Sequence, residues 1–397
     1  PEGLKALLKE EIPQIKENTK ALGEFGTSGG APAVESFGDL PVKNYLLGAY
    51  PDVVKISGQA MREKIWVRHY ACWACPIGCA KIVKGELAGF GKFDGHYPEY
   101  ETLGMLGSNL LVNDMNILAY ANELTNRLGM DTISMGSVAA FAIECYEKGK
   151  ITQEDTGGLE LKWGDAASIV GLIKMTAYRR NKIGSALACG VQEAAEIIGK
   201  NTIDYVSHSK GLDYPAHDPR GHVSMTLSYA TAVRGACHLE GLTYFLDRGI
   251  PAKDLGITTP PNQFEESGKP KIVFDMQNFL SLFNPLGLCK FLFHGRVGHS
   301  QITRWINAVC GWSWTPDDYM KTGERVFNVK RLYINRLGIS RKDDLLLTRA
   351  NSYPKKEGKA KGIAANLAKM LDEYYTLRGW TYEGVPSEEK LKELELI

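Results

Sequence analysis

The 397-residue chain predicts a mainly α protein built from two helical domains. Apolar residues recur at helical spacing through its middle, Asp or Asn stands ahead of those runs, and Gly follows them. The length suits two domains at about 100–200 residues each, and a change of texture near residue 200 divides the chain into 1–200 and 201–397. With 44% hydrophobic residues, 47 Lys+Arg and 46 Asp+Glu, the composition is that of an ordinary globular protein. That charge balance argues against nucleic acid as a partner. No run nears the ~18 apolar residues of a membrane span and no charged-then-apolar leader opens the chain, so a cytoplasmic protein without membrane contact is expected.

The elements follow in order. Leu4, Leu7, Leu8, Ile12 and Ile15, with Lys and Glu between them, read as a surface helix. The chain opens at Pro1 without Met, and an amino-terminal portion is expected to be missing. Gly-rich residues 23–32 are a loop, followed by a mixed segment. Ile117, Leu118, Ala121, Leu124 and Leu128 share one helical face, with Asn113 or Asp114 as cap and Gly129 as stop. Further helices are predicted over 132–147, 165–180 and 185–198, the last between Gly184 and Gly199. Residues 211–222 are a loop rich in Gly, Pro, His and Asp, and helical pattern resumes at 225–241, after Asp275, and at 364–378. Pro251, Pro260, Pro261 and Pro270 mark a surface excursion. The last dozen residues are charged and expected to be mobile. The basic runs Arg179-Arg180-Asn181-Lys182 and Lys355-Lys356 with Lys359 and Lys361 are expected to face solvent.

Eight cysteines are too sparse for a disulfide scaffold. Cys145, Cys189, Cys237 and Cys310 lie in apolar, helical contexts and read as buried thiols. Cys72, Cys75 and Cys79 differ, because a C-x2-C-x3-C loop can hold three corners of an iron–sulfur cubane with soft, anionic sulfur. Pro76 keeps that loop out of regular structure, and Gly78 lets backbone approach inorganic sulfide closely. Zinc also takes four thiolates, but its sites usually pair two such units and this chain has one. The order is the reverse of the C-x3-C-x2-C arrangement of radical enzymes built on S-adenosylmethionine. A fourth ligand must come from elsewhere, and Cys289 is one candidate.

Asn126-Arg127-Leu128-Gly129-Met130-Asp131 and Asn284-Pro285-Leu286-Gly287-Leu288-Cys289 share one frame, each after a helical stretch. A helix ending in Gly exposes backbone amides and carbonyls in a tight turn, and a side chain nearby can meet a ligand's N–H edge. Taken alone, each turn is an ordinary helix end.

Together with the cysteine loop, these turns resemble the aldehyde:ferredoxin oxidoreductases, whose pterin signature is D-x-x-G-L-(D/C). Pro98-Glu99-Tyr100-Glu101-Thr102, Tyr214-Pro215-Ala216-His217-Asp218-Pro219-Arg220-Gly221, Arg234-Gly235-Ala236-Cys237-His238 and Ser340-Arg341-Lys342-Asp343-Asp344 look like further blocks of that family. The resemblance implies a [4Fe–4S] cluster on Cys72, Cys75, Cys79 and Cys289. It implies a tungsten (or molybdenum) bis-pterin cradled by Asn126, Gly129, Met130 and Asp131 and by Asn284, Gly287 and Leu288. Glu101 and His238 match the carboxylate and imidazole beside the metal, with Tyr100 adjacent, where proton transfer is expected. His217 and Arg220 read equally as functional or as fixing the loop around Pro219.

The expected activity is oxidation of a small aldehyde to a carboxylic acid, with electrons passing through the cluster to ferredoxin. Two departures qualify it. Asn replaces Asp at the head of each turn, which removes a charge-assisted hydrogen bond, roughly twice as strong as a neutral one. The β-rich amino-terminal domain of the family is also lacking, so this chain resembles the second and third domains alone, and a separate chain or missing segment would supply the first. The alternative is a non-catalytic iron–sulfur electron-transfer or assembly subunit without tungsten. A weaker one is a zinc-stabilised helical module. The sequence leaves the oligomeric state open, a homo-oligomer included.

Overall fold

The computed structural model of the chain describes residues 2–349 and 353–397. They form two compact units: one comprises 21–221 and 346–364, the other 1–20, 222–345 and 365–397. Both are mainly helical, as predicted. Among the described residues no helix is long and apolar enough to cross a membrane.

The first unit is built around the helix Thr132–Glu147, whose residues from Met135 to Cys145 are all buried. A helix apolar on every face belongs inside a core. Asp131 starts it by accepting the Ser134 N–H at 2.8 Å. The neighbouring helices Met115–Arg127 and Ala166–Ala177 begin the same way at Asp114 and Asp165. The single helix expected over 185–198 is two, Asn181–Leu187 and Val191–Ile198, because Gly190 at φ 93° turns the chain between them.

The mixed segment contains an antiparallel sheet in the order β1 (Trp66–Tyr70), β2 (Ala80–Leu87), β3 (Gly91–His96). Tyr70 pairs with Ala80, so the sheet closes at the mouth of the cysteine loop. The Asn122 side chain donates to the His96 carbonyl at 2.9 Å and ties β3 to the helix Met115–Arg127. A smaller sheet joins Ser207–Ser209, Leu212–Asp213 and Leu347–Thr348.

After β3 the short helix Tyr100–Thr102 runs into a buried π turn, Leu103–Gly107. Such turns occur often at functional sites. Two glycines permit the packing here. A Cβ on Gly136 would meet the Met105 carbonyl oxygen at 2.5 Å, and one on Gly104 would meet the Ala216 Cβ at 2.4 Å. Lys355, expected in solvent, is instead buried against Asp218 at 2.9 Å, and Asp218 also holds Arg220 at 2.6 Å.

In the second unit, Lys269–Ser281, Pro316–Arg336 and Leu367–Arg378 enclose a core that includes Val273, Phe327, Tyr374 and Trp380. Arg378 is fully buried there, with its guanidinium 4.0 Å from the Phe327 ring centroid and Nε donating to the Tyr374 hydroxyl at 2.8 Å. The amino-terminal helix Glu2–Asn18 packs on His299–Cys310, where Glu11 accepts from the Trp305 indole at 2.6 Å. The helix expected over 225–241 spans only Val223–Thr231, because Ala232 turns extended and Gly235 takes φ 107°. The carboxyl end, expected to be mobile, holds the helix Glu388–Glu393, and the Leu394 carbonyl accepts from Arg325 at 2.6 Å.

Candidate functional site

The loop 71–79 between β1 and β2 carries Cys72, Cys75 and Cys79, none of them in a disulfide. The Cys75 N–H donates to the Cys72 carbonyl at 3.0 Å, and Ala74 and Gly78 take φ 54° and 62°, so the loop curls back on itself. Cys72 is exposed and the other two are half-buried. Directly after the loop, Lys81 points inward and is fully buried. Its ammonium donates to the carbonyls of Gly23 at 2.8 Å and of Gly78 and Cys79 at 3.0 Å each. Those bonds use all three of its donors. Burial pulls the Lys81 amine below its usual range, and negative charge at Cys79 works against that. A buried cation is costly unless an anion lies near. Cluster-bound thiolates supply such an anion, so this donor set and the cation behind it fit an iron–sulfur cluster.

The two repeated turns have the same hydrogen bonds. After the first helix, Leu128 donates to Leu124, Gly129 to Asn126 and Met130 to Thr125, each at 3.1 Å. After the second, Leu286 donates to Leu282 at 3.1 Å, Gly287 to Asn284 at 3.1 Å and Leu288 to Phe283 at 2.8 Å. Gly129 and Gly287 take φ 71° and 65°, the left-handed turn that favours Gly. Two residues on, Asp131 (φ −71°, ψ 131°) and Cys289 (φ −73°, ψ 130°) each cap the following helical segment. Asp131 commits its carboxylate to the Ser134 N–H, whereas Cys289 brings an exposed thiol to the same backbone position. The Asn126 amide donates to the Asn122 carbonyl at 2.9 Å and side-chain oxygen at 3.1 Å, which leaves its own oxygen as the outward acceptor.

Beside the first turn lies a cavity of about 280 Å³, lined by Met130, Asp131, Ser134, Thr176 and Arg179 among others. The Thr176 hydroxyl is buried there without a hydrogen-bond partner among the described residues. A carboxylate, an unsatisfied hydroxyl and a guanidinium around one cavity suit the polar edge of a heterocycle such as a pterin.

The same unit gathers Tyr100, Glu101, His217 and Asp39. Glu101 Oε2 accepts the Ala216 N–H at 2.7 Å, and its Oε1 lies 3.5 Å from His217 Nε2. His217 Nδ1 lies 2.9 Å from Asp39 Oδ2. The Tyr100 hydroxyl donates to the Ala216 carbonyl, and its ring centroid is 5.0 Å from that of His217. Burial pushes the Glu101 carboxyl up to about 8; the Ala216 N–H opposes the shift and negative charge at Asp39, Asp131 and Glu99 adds to it. At neutral pH this carboxyl holds its proton. Arg220 serves the loop instead, bonding to Asp218, the Tyr45 carbonyl and the Tyr353 carbonyl.

The second unit holds His238, Asn284, Gly287, Leu288 and Cys289. His238 is buried at the start of the 3₁₀ turn His238–Glu240, its ring centroid 6.4 Å from that of Tyr244. Of the thiols expected to be buried, Cys145 and Cys237 are, while Cys189 and Cys310 are exposed at helix ends. Sequence reasoning missed Lys81 and Asp39. A Lys one residue past Ala80 at the start of an alternating strand was a signal for the first; nothing local marks Asp39, 178 positions from His217.

Comparison with known proteins gives the chain its relatives. The family described as "Aldehyde ferredoxin oxidoreductase, domains 2 & 3" matches residues 4–396. The tungsten-containing aldehyde ferredoxin oxidoreductase of Pyrococcus furiosus is 36% identical over 394 residues, 98% of this chain and 63% of its own length. An aliphatic sulfonate oxidoreductase, WOR-like subunit, from the same organism is 29% identical over 413 residues, covering 99% of this chain and 61% of that protein. The active site complex BamBC of benzoyl coenzyme A reductase, solved with 1,5-dienoyl-CoA, shares the fold with a TM-score of 0.78 at 19% identity, over 100% of this chain and 65% of the matched one. This chain thus spans less than two thirds of the length of these proteins. It belongs to the aldehyde ferredoxin oxidoreductase family and corresponds to that family's domains 2 and 3.

Proposed function

We propose that this chain is the cofactor-holding portion of a tungsten (or molybdenum) pterin oxidoreductase that oxidises an aldehyde to a carboxylic acid and delivers electrons to ferredoxin. The observation that carries the reading is the pair of matching turns, one ending in Asp131 and the other in Cys289. Cys72, Cys75, Cys79 and Cys289 would hold a [4Fe–4S] cluster. Asn126 through Asp131 and Asn284 through Leu288 would hold the pterins, with the remaining part of the cradle supplied by a further segment or a separate chain.

When bound, the pterin metal supplies the two-electron oxidation and the cluster a one-electron outlet. The chain's own residues handle orientation and protons. Glu101, held by the Ala216 N–H, takes a proton from the hydrated substrate once its own proton has been passed on. The Tyr45 hydroxyl donates at 2.9 Å to the Pro215 carbonyl, the other end of the peptide that carries this N–H, and the Tyr100 hydroxyl holds the next peptide through the Ala216 carbonyl. His238 is the second candidate for proton transfer.

The test is aldehyde-dependent ferredoxin reduction by protein purified without oxygen from its native source, with the Glu101→Gln and His238→Asn variants alongside. Turnover that falls at least tenfold in either variant, with metal retained, supports the assignment. Full turnover in both removes both residues from the chemistry. Iron without tungsten or molybdenum, and no turnover in the native protein, would favour the non-catalytic electron-transfer subunit.

A further inference from the structure

We propose that His217, oriented by Asp39, is the proton-relay partner of Glu101, so that the three side chains form one directional chain from the substrate's proton to a buried carboxylate. The inference rests on the reading of Glu101 as the group that takes that proton.

The imidazole stands between two carboxyl groups, with Nδ1 2.9 Å from Asp39 and Nε2 3.5 Å from Glu101. The Asp39 and His217 side chains are 0% and 3% exposed, so water does not mediate their bond. A ring whose Nδ1–H is held by a carboxylate presents the lone pair of Nε2 on its other side. Glu101, protonated near neutral pH, faces that lone pair. Negative charge at Asp39, Asp131 and Glu99 raises the proton affinity of Glu101, and the Asp39 carboxylate 2.9 Å from Nδ1 favours the imidazolium that receives the proton.

The step balances. Oxidising a hydrated aldehyde to the acid releases two electrons, taken by the bound redox group, and two protons. The Glu101 O–H bond breaks as its proton moves to Nε2, and the Asp39 carboxylate stabilises the imidazolium. The freed Glu101 carboxylate then accepts one proton from a hydroxyl of the hydrate, and the second, left when the C–H electron pair goes to the bound redox group, is released to bulk water. A purely structural role for His217 is poorly supported, because the loop is already fixed by other bonds. Ala216 bonds both Glu101 and Tyr100, the Asp218 N–H donates to the Asp39 carbonyl at 2.7 Å, and Arg220 grips Asp218.

The experiment compares His217→Gln, His217→Ala, Asp39→Asn and Glu101→Gln in the cofactor-loaded protein, with two readouts. One is the infrared carboxylic-acid band of Glu101, assigned by its loss in Glu101→Gln and followed against pH. The other is kcat and KM for an aldehyde across the same pH range. The expected result is a shifted Glu101 band in His217→Gln and a smaller shift in Asp39→Asn. With them kcat should fall roughly tenfold to a hundredfold while KM stays within about twofold, and added imidazole should restore part of the turnover of His217→Ala. A band and pH profile in His217→Gln that match the parent would overturn the relay while leaving Glu101 as base intact. Full turnover in Glu101→Gln would overturn both, and a band shift without any change in kcat would reduce His217 to a neighbour of the carboxyl.

Discussion

Replacing Glu101 by Gln preserves the shape of the side chain and the acceptor for the Ala216 N–H while removing the titration. In the folded chain this carboxyl keeps its proton up to about 8, against 4.5 for an ordinary Glu. Folding therefore takes up a proton between those values. The contribution of the protonated group is fully present below about pH 4.5 and is lost as pH rises through about 8. At about 1.4 kcal/mol for each tenfold change in proton affinity, the whole span corresponds to about 5 kcal/mol. Only one fifth of the side chain stays exposed, so a loss of several kcal/mol, up to about that span, is expected. Thermal unfolding of parent and variant, scanned identically from pH 5 to pH 9, measures it. The two midpoints should lie close together at pH 5 and diverge by a few degrees at pH 9, with the Gln variant the more stable. Parallel curves over that range would refute the claim that Glu101 is protonated in the folded protein.

Other perturbations reach different parts of the account. Lys81→Met removes the cation behind the cysteine loop, so the cluster should show a lower reduction potential in an electron paramagnetic resonance titration, with less iron retained; an unchanged potential would separate Lys81 from the cluster. Gly104→Ala drives a Cβ against Ala216 at 2.4 Å, and the resulting overpacking should cost about 1–3 kcal/mol in denaturant unfolding and lower kcat through Glu101. Asn126→Asp exchanges two donated bonds to Asn122 for a carboxylate facing a carbonyl, and a loss of about 1–3 kcal/mol is expected by the same measurement. Trp380→Ala empties the middle of the second unit's core and should cost about 3–5 kcal/mol.

The sequence revealed most where local chemistry decides structure. The helix 132–147 was legible in full because Asp131 stands ahead of it, apolar residues dominate it and Gly149 follows. The two turns were legible because their Gly positions require left-handed backbone. The hairpin around the cysteines was not, since β1 is exposed along most of its length and lacks the alternation that marks a half-buried strand. Helix 225–241 was overread because apolar spacing continues past Thr231, while Ala232 and Gly235 break the backbone for tertiary reasons. In the candidate site, Cys72, Cys75 and Cys79 came from their spacing and Glu101 and Tyr100 from motif resemblance, but Asp39 and Lys81 act through long-range contacts that spacing does not encode.

The most direct test of the central claim is the iron, tungsten, molybdenum and zinc content of protein purified without oxygen from its native source, measured for parent and Cys289→Ala. The account predicts four irons per chain with tungsten or molybdenum present, and loss of iron in the variant. Zinc in place of iron, or an unchanged iron content in Cys289→Ala, would contradict it.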